Sequence, residues 1–415
     1  MIVMMIAICV IYVTLAFSFV PQGVSSSRLH PSQQSVISAK KALNGASSTD
    51  NISSFENKPK EYKVHYRDGD DMGGMHLNIT RGGIRFIGPT SYSHQVSLSW
   101  DGGPRRVLVI VKPDDTIIAS VIEAVKKLWD REVEVVVEKD MYDILQADTE
   151  DHQKNKLIEF QENTEQGVDV IITFGGDGTL MHCSSMFTEQ RIPPIMSFDF
   201  GSLGFLSPFQ FENFEEDIDQ MIREGVTLTL RMRLECHIQR RSESSGVFET
   251  ISPTMNVLNE VVVARGPVSF IGVLDIACDN RYMTTLQGDG IIIATPTGST
   301  AYSLAAGGSM VHPQVSAMLL TPVCAHTLSF RPLLVPDSSV LEVMVPEECR
   351  GNAWASFDGK FRTELQRGDL LHVKQSLYPM PTVNRANYTI DWFDALRSGF
   401  MFNERSRQSS KIPLK

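Results

Sequence analysis

The sequence contains no C-x-x-C pair, and its six cysteines (Cys9, Cys183, Cys236, Cys278, Cys324 and Cys349) are scattered along 415 residues. That spacing signals neither a cysteine zinc cluster nor a disulfide framework, so the cysteines read as free thiols and no metal site is signalled. Positive charge is also scarce. The formal net charge is -11, and without a basic field DNA or RNA is not an expected partner. No G-K-[ST] follows any glycine loop, which excludes a Walker A phosphate loop, and no internal repeat is present.

Acidic residues are missing altogether from the first 49 positions. Met1–Val20 is apolar and uncharged, and the stretch after it is rich in Ser with Arg28, Lys40 and Lys41. This composition reads as a cleavable targeting presequence over residues 1–49, the chain's only expected contact with a membrane. The stretch "LAFSFVPQ" resembles the bipartite presequences of algae with complex plastids, which implies a plastid destination. A mitochondrial address, or a single membrane anchor in the secretory pathway, is the alternative.

What is present is a chain long enough for more than one core, with 42% hydrophobic residues. Residues 50–103 are polar and Gly-rich and read as a linker or N-terminal extension with a few short strands. Residues 104–224 read as an α/β domain: "RVLVIV" (Arg106–Val111), a helical repeat over Ile117–Asp130, and "VEVVVE" (Val133–Glu138) imply a parallel sheet. "VDVIITF" (Val168–Phe174) is a further strand. Residues 225–380 consist of short β-rich runs and read as a mostly β, sandwich-like domain, and residues 381–415 as a segment that returns to the α/β domain. Sequons at Asn51, Asn78 and Asn387 read as chance.

Three stretches carry chemistry. "GGDGT" follows the strand ending at Phe174 and opens a helix, the usual ligand position in an α/β sheet. Gly175, Gly176 and Gly178 let backbone N–H groups face an anion, and Thr179 is the expected helix cap. Asp177 in the same loop would repel phosphate unless its carboxylate points elsewhere. The second stretch runs from Gln287 to Gly308, "QGDGIIIATPTGSTAYSLAAGG". Thr300 is its expected cap, the N–H groups of Ala301, Tyr302 and Ser303 are expected to face a ligand, and Tyr302 to pack against a ring. The third is the pair Asn259-Glu260 before a strand, where a turn would bring both side chains to one site.

Together these residues resemble the NAD kinase family. The similarity covers roughly Ser97–Leu396 and includes G-G-D-G-T, N-E and the block Asp289–Pro313. It also takes in "GSLGFLSPF", "HTLSFRPLLVP", "WASFDG" and "DWF". The resemblance implies an ATP-dependent phosphotransferase that makes NADP from NAD, with Mg2+ accompanying ATP. It also implies an α/β domain followed by a β-sandwich-like domain, and a homodimer or homotetramer. Asp177 is then the catalytic acid/base. Gly175, Gly176, Gly178, Thr179, Asn259, Glu260, Gln287, Asp289, Thr300, Ala301, Tyr302, Ser303, Ala305 and Asp358 belong to the nucleotide sites. Gln287 stands where bacterial members carry arginine. A lipid or diacylglycerol-type kinase, sharing the glycine loop, and a non-catalytic NAD(P)-binding sensor are the competing readings.

Fused to a fluorescent protein in an alga with complex plastids, residues 1–49 are expected to deliver the signal to the plastid. Fluorescence confined to the cytosol or plasma membrane would end that expectation.

Overall fold

The computed structural model describes residues 63–66, 76–80, 83–87, 96–148, 154–161, 167–187, 192–201, 204–267, 269–386 and 388–400. The presequence and the sequons at Asn51 and Asn387 lie outside these residues. Among the described residues, no helix is long and apolar enough to cross a membrane.

The continuous apolar runs pair in parallel, as strands buried on both faces do. Arg106–Val111 lies between Glu134–Val137 and Val170–Phe174, with Leu157–Glu159 beyond the former and Ile195–Asp199 beyond the latter. Val170–Phe174 is buried at every position. Chain order reverses between Arg106–Val111 and Val170–Phe174, so the carboxyl ends of these two strands flank the crevice where such sheets bind ligands. Helices α1 (Asp115–Asp130), α2 (Lys139–Asp148), α3 (Asp177–Met186) and α4 (Phe214–Glu224) accompany this sheet. α1 shows why they form. Asp114 caps it by accepting the Thr116 N–H at 3.1 Å, and Ile117, Val121, Ala124, Val125 and Leu128 turn one apolar face inward.

The sheet is longer than the α/β run alone. Met380–Val383 pairs in parallel with Ile195–Asp199, and Val226–Arg231, Val96–Ser99 and Lys63–Tyr66 extend it in antiparallel fashion. Two expectations change here. Val226–Arg231, grouped by composition with the β-rich half, belongs to the first sheet. The fold also begins before Arg105, since Val96 and Leu98 are buried in the first core. Both strands are placed by partners far away in sequence, which local composition does not register.

The β-rich half forms two antiparallel sheets, face to face. One contains Leu234–Arg241, Leu370–Gln375, Leu341–Met344, Gly272–Cys278 and Arg281–Gly288; the other contains Ala317–Val323, Gly290–Ala294, Glu260–Arg265, Ala353–Phe357 and Lys360–Leu365. Cys236 and Ile238 from the first meet Val261, Val263, Ile291 and Ile293 from the second in a shared core, which makes a sandwich. Two further helices lie among the described residues, the single turn α5 (Tyr302–Ala305) and α6 (Tyr388–Phe400).

The chain passes from the first sheet to the sandwich through Arg231, Met232 and Arg233. Arg233 is fully buried. Its Nη1 donates to the Phe187 carbonyl at 2.7 Å and the Ser184 carbonyl at 3.3 Å, at the end of α3, and its Nε donates to the Tyr378 carbonyl at 2.7 Å. Burial lowers the guanidinium pKa to about 10 without discharging it near neutrality. Arg233→Met is therefore expected to leave buried carbonyls unpaired and cost about 3 kcal/mol, read as a lower urea midpoint at unchanged slope. A loss below about 0.5 kcal/mol would show that these carbonyls find other partners.

Candidate nucleotide and phosphoryl-transfer site

The donor side is built by the glycine loop. Gly175 has φ +141°, donates its N–H to the Phe198 carbonyl at 2.9 Å, and sits so close to Thr179 that an added Cβ would stand 2.2 Å from Oγ1. Only glycine fits there. Gly176 occupies the cap position of α3 and contributes no side-chain cap bond. Thr179 is thus not the cap: it lies within the first turn, buried beneath Gly175. Beside Gly178 the backbone is open, with nothing within 4 Å of a built Cβ. The loop faces a cleft at the switch point that is also lined by Lys112, Asp114, Thr116, His182 and Asp199.

Two basic groups in that cleft, Lys112 and His182, are absent from the sequence reading. Lys112 directly follows the strand Arg106–Val111, a position that could have drawn attention to it, and its Nζ bonds Asp114 at 3.0 Å. His182 lies one helical turn beyond Gly178. Its Nε2 is 2.9 Å from Glu138 Oε1, and that carboxylate raises the imidazole pKa. Asp114 itself is held down to about 2, first by the Thr116 hydroxyl and then by Lys112.

Asp177 turns away from the loop. Its Oδ1 accepts the Leu206 N–H at 2.9 Å and its Oδ2 the Phe205 N–H at 3.1 Å. A Cβ at Gly204 would stand 2.2 Å from Oδ1, so Gly204 makes the room this carboxylate needs. Burial pushes the Asp177 pKa up, while the two N–H donors and the charge of Arg231 oppose the rise.

On the other side, Asn259 and Glu260 are fixed by the backbone. The Asp358 carboxylate accepts the N–H groups of Leu258 (2.8 Å), Asn259 (2.8 Å) and Glu260 (3.1 Å). Asp358 thereby ties this turn together. Gly298 packs onto Asn259, where a Cβ would meet the Asn259 carbonyl at 2.2 Å, and Thr295 donates its N–H to the same oxygen at 2.9 Å. The turn Thr297–Thr300 is therefore seated on Asn259-Glu260.

The expected anion site at α5 is not built as foreseen. α5 has only four residues, its cap position is Ala301 without a side-chain cap bond, and Thr300 instead donates to the Thr297 carbonyl at 3.3 Å. The Ala301 N–H bonds the Gly298 carbonyl at 3.0 Å, and that of Tyr302 bonds the Glu260 carboxylate. Ser303 is buried, its Oγ 2.8 Å from Thr321 Oγ1. Local chemistry alone cannot announce that a carboxylate 42 positions earlier takes the Tyr302 N–H. The Tyr302 ring is exposed, as is Ala305, and Tyr302 shares a cleft with Arg265 and Asp289. Asp289 Oδ1 binds Arg265 Nε at 2.6 Å, and Gln287 is exposed in an adjoining cleft with Phe270 and Arg350. The structure thus brings together Asn259, Glu260, Thr300 and Tyr302, and sets Gln287 apart from them.

The glycine-loop helix on a parallel sheet, facing a β-sandwich with a second glycine turn, defines a class of nucleotide-dependent phosphotransferases. Residues 107–226 match the ATP-NAD kinase N-terminal domain, and residues 258–385 the ATP-NAD kinase C-terminal domain. The chain is 42% identical over 369 residues to putative NAD kinase 3 of Oryza sativa subsp. japonica, covering 85% of this chain and 72% of that one. It is 40% identical over 339 residues to chloroplastic NAD kinase 2 of Arabidopsis thaliana; that match takes in 80% of this chain but 34% of the longer relative. The crystal structure of yeast NADH kinase complexed with NADH superposes with a TM-score of 0.68 at 31% identity, over 76% of this chain and 92% of that one. The chain belongs to the NAD kinase family.

Glu260 offers a test of the site's electrostatics. It is buried, its Oε2 has no hydrogen-bond partner, and burial followed by the nearby Asp358 pushes its pKa from 4.5 to about 7. A raised carboxyl favours folding while protonated, so its contribution is complete below pH 4.5 and is lost as pH rises to about 7. Glu260→Gln is accordingly expected to gain stability relative to the unmutated protein, by about 2 kcal/mol, between pH 5 and pH 8. Urea denaturation at the two pH values measures it, and an unchanged difference would contradict the assignment.

Proposed function

We propose that this chain is an ATP-dependent NAD kinase, transferring the γ-phosphoryl group of ATP to the 2′-hydroxyl of the adenosine ribose of NAD. The observation that carries the reading is the placement of Asp177. Its carboxylate is ordered by two backbone N–H groups at the head of the glycine-loop helix, on the side where Arg231 reaches the acceptor turn. Phosphoryl transfer has a loose transition state, so the protein's work is to align two reactants and offset charge.

In this reading the loop N–H groups, Lys112 and His182 take the donor phosphates in the switch-point cleft. The substrate is Mg-ATP. In this reading magnesium enters on the phosphates rather than on a protein site. Asn259, Glu260 and the Thr297–Tyr302 segment orient the nucleoside, and Asp177 accepts the hydroxyl proton as the phosphorus–oxygen bond forms. NADH is a second acceptor in this reading, in line with the yeast relative complexed with NADH. The acid-poor N-terminus and the chloroplastic relatives favour a plastid enzyme, and the family resemblance a homo-oligomer.

Purified protein given Mg-ATP with NAD, NADH or diacylglycerol is expected to form NADP(H), read with an NADP-specific dehydrogenase. No product from either dinucleotide would overturn the reading, and a phosphorylated lipid would replace it. Asp177→Asn is expected to lower kcat by about 10²- to 10⁴-fold with NAD affinity close to normal. A near-normal kcat would make that carboxylate structural.

A further inference from the structure

Arg231 lies between the two halves of the site, bonded to the acceptor turn and within electrostatic reach of Asp177. It ends the strand Val226–Arg231, where its Nε donates to Thr382 Oγ1 at 3.0 Å and its Nη1 to Thr297 Oγ1 at 3.4 Å. The first bond anchors it to the neighbouring strand, and the second reaches the turn seated on Asn259-Glu260. It also lines a crevice with Gly204, Phe205 and Leu206, the backbone that makes room for Asp177 and holds its carboxylate.

We propose that Arg231 is a positioning residue for phosphoryl transfer, its anchored guanidinium holding the acceptor turn at Thr297 in register with the ionised carboxylate of Asp177. The proposal rests on the NAD kinase reading.

The surrounding charges agree with it. Asp177 from α3 and Asp391 from α6 favour the Arg231 cation against burial, which lowers its pKa to about 10. In return, Arg231 opposes the upward push on Asp177 from burial and from Asp199. His312, Arg385 and Asp394 line the same crevice, and the His312 pKa falls through burial first and then the Arg231 charge. A lysine would supply the same charge, but its single nitrogen cannot reproduce a planar fork that addresses Thr382 and Thr297 together. Charge and geometry are therefore separable by substitution.

The sign of the pH effect follows from the chemistry. Asp177 must be ionised to accept a proton, and removing a nearby cation raises its pKa, so activity is lost at a higher pH on the acidic side.

Arg231→Met is expected to move the acidic limb of the kcat profile up by about one pH unit and to raise the NAD KM about tenfold. Arg231→Lys should return the limb close to its original position while the NAD KM stays high. Thr297→Val should raise the NAD KM and leave the limb unmoved. Thermal melting establishes which variants are folded; if Arg231→Met is not, the Lys and Val variants decide the matter. A Lys variant with both parameters unchanged, or a Thr297→Val variant with an unchanged NAD KM, would overturn the proposal. No turnover by the unmutated protein would remove the NAD kinase reading and the proposal with it, whereas normal turnover with an unmoved limb in folded Arg231→Met would remove the proposal alone.

Discussion

The site depends on a buried guanidinium. Donor and acceptor loops arise from different sheets, and their relative placement must hold to a fraction of an ångström for in-line transfer. Arg233 supplies that rigidity where the chain leaves the first sheet, because its carbonyl partners at Ser184, Phe187 and Tyr378 tie the end of α3 to the base of the sandwich. A hydrophobic contact at this point would resist separation but permit sliding. A cation surrounded by directed carbonyls resists both.

Three carboxylates near the joint are handled alike. Asp177, Asp358 and Glu260 are all pushed toward the neutral form by burial, and each meets at least one backbone N–H group that favours the anion. Balance differs among them. Asp358 has three such donors and serves the turn, Asp177 has two and remains beside the loops, and Glu260 has one and an unpartnered oxygen. Number of donors thus grades how firmly each carboxylate is fixed, and the least satisfied one faces the segment that would meet the nucleoside.

Much of the architecture was legible in the sequence wherever a signal is local. The apolar runs at Arg106–Val111 and Val170–Phe174, the glycine loop after the second, and the switch to short β runs all depend on neighbours within a few residues. Capping was misread at Thr179 and Thr300 because glycine and alanine can occupy a cap position while a nearby threonine turns inward. The part Asp358 plays in the turn is not legible locally, because its partners, the N–H groups of residues 258–260, lie about 100 positions away. Lys112, His182, Arg231 and Arg233 went unnoticed for a related reason: an isolated basic residue acquires meaning only from what the fold sets against it.

The strand order of the first sheet also bears on how the molecule comes into being. Met380–Val383 sits in its interior, between Val226–Arg231 and Ile195–Asp199. The sheet can close only after residues 380–383 are available, and its closure depends on contacts spanning well over a hundred residues. Such long-range pairing makes folding slow and late. A topology closed so late leaves strand edges unpaired for longer than one built from successive neighbours, and such edges are where intermediates aggregate.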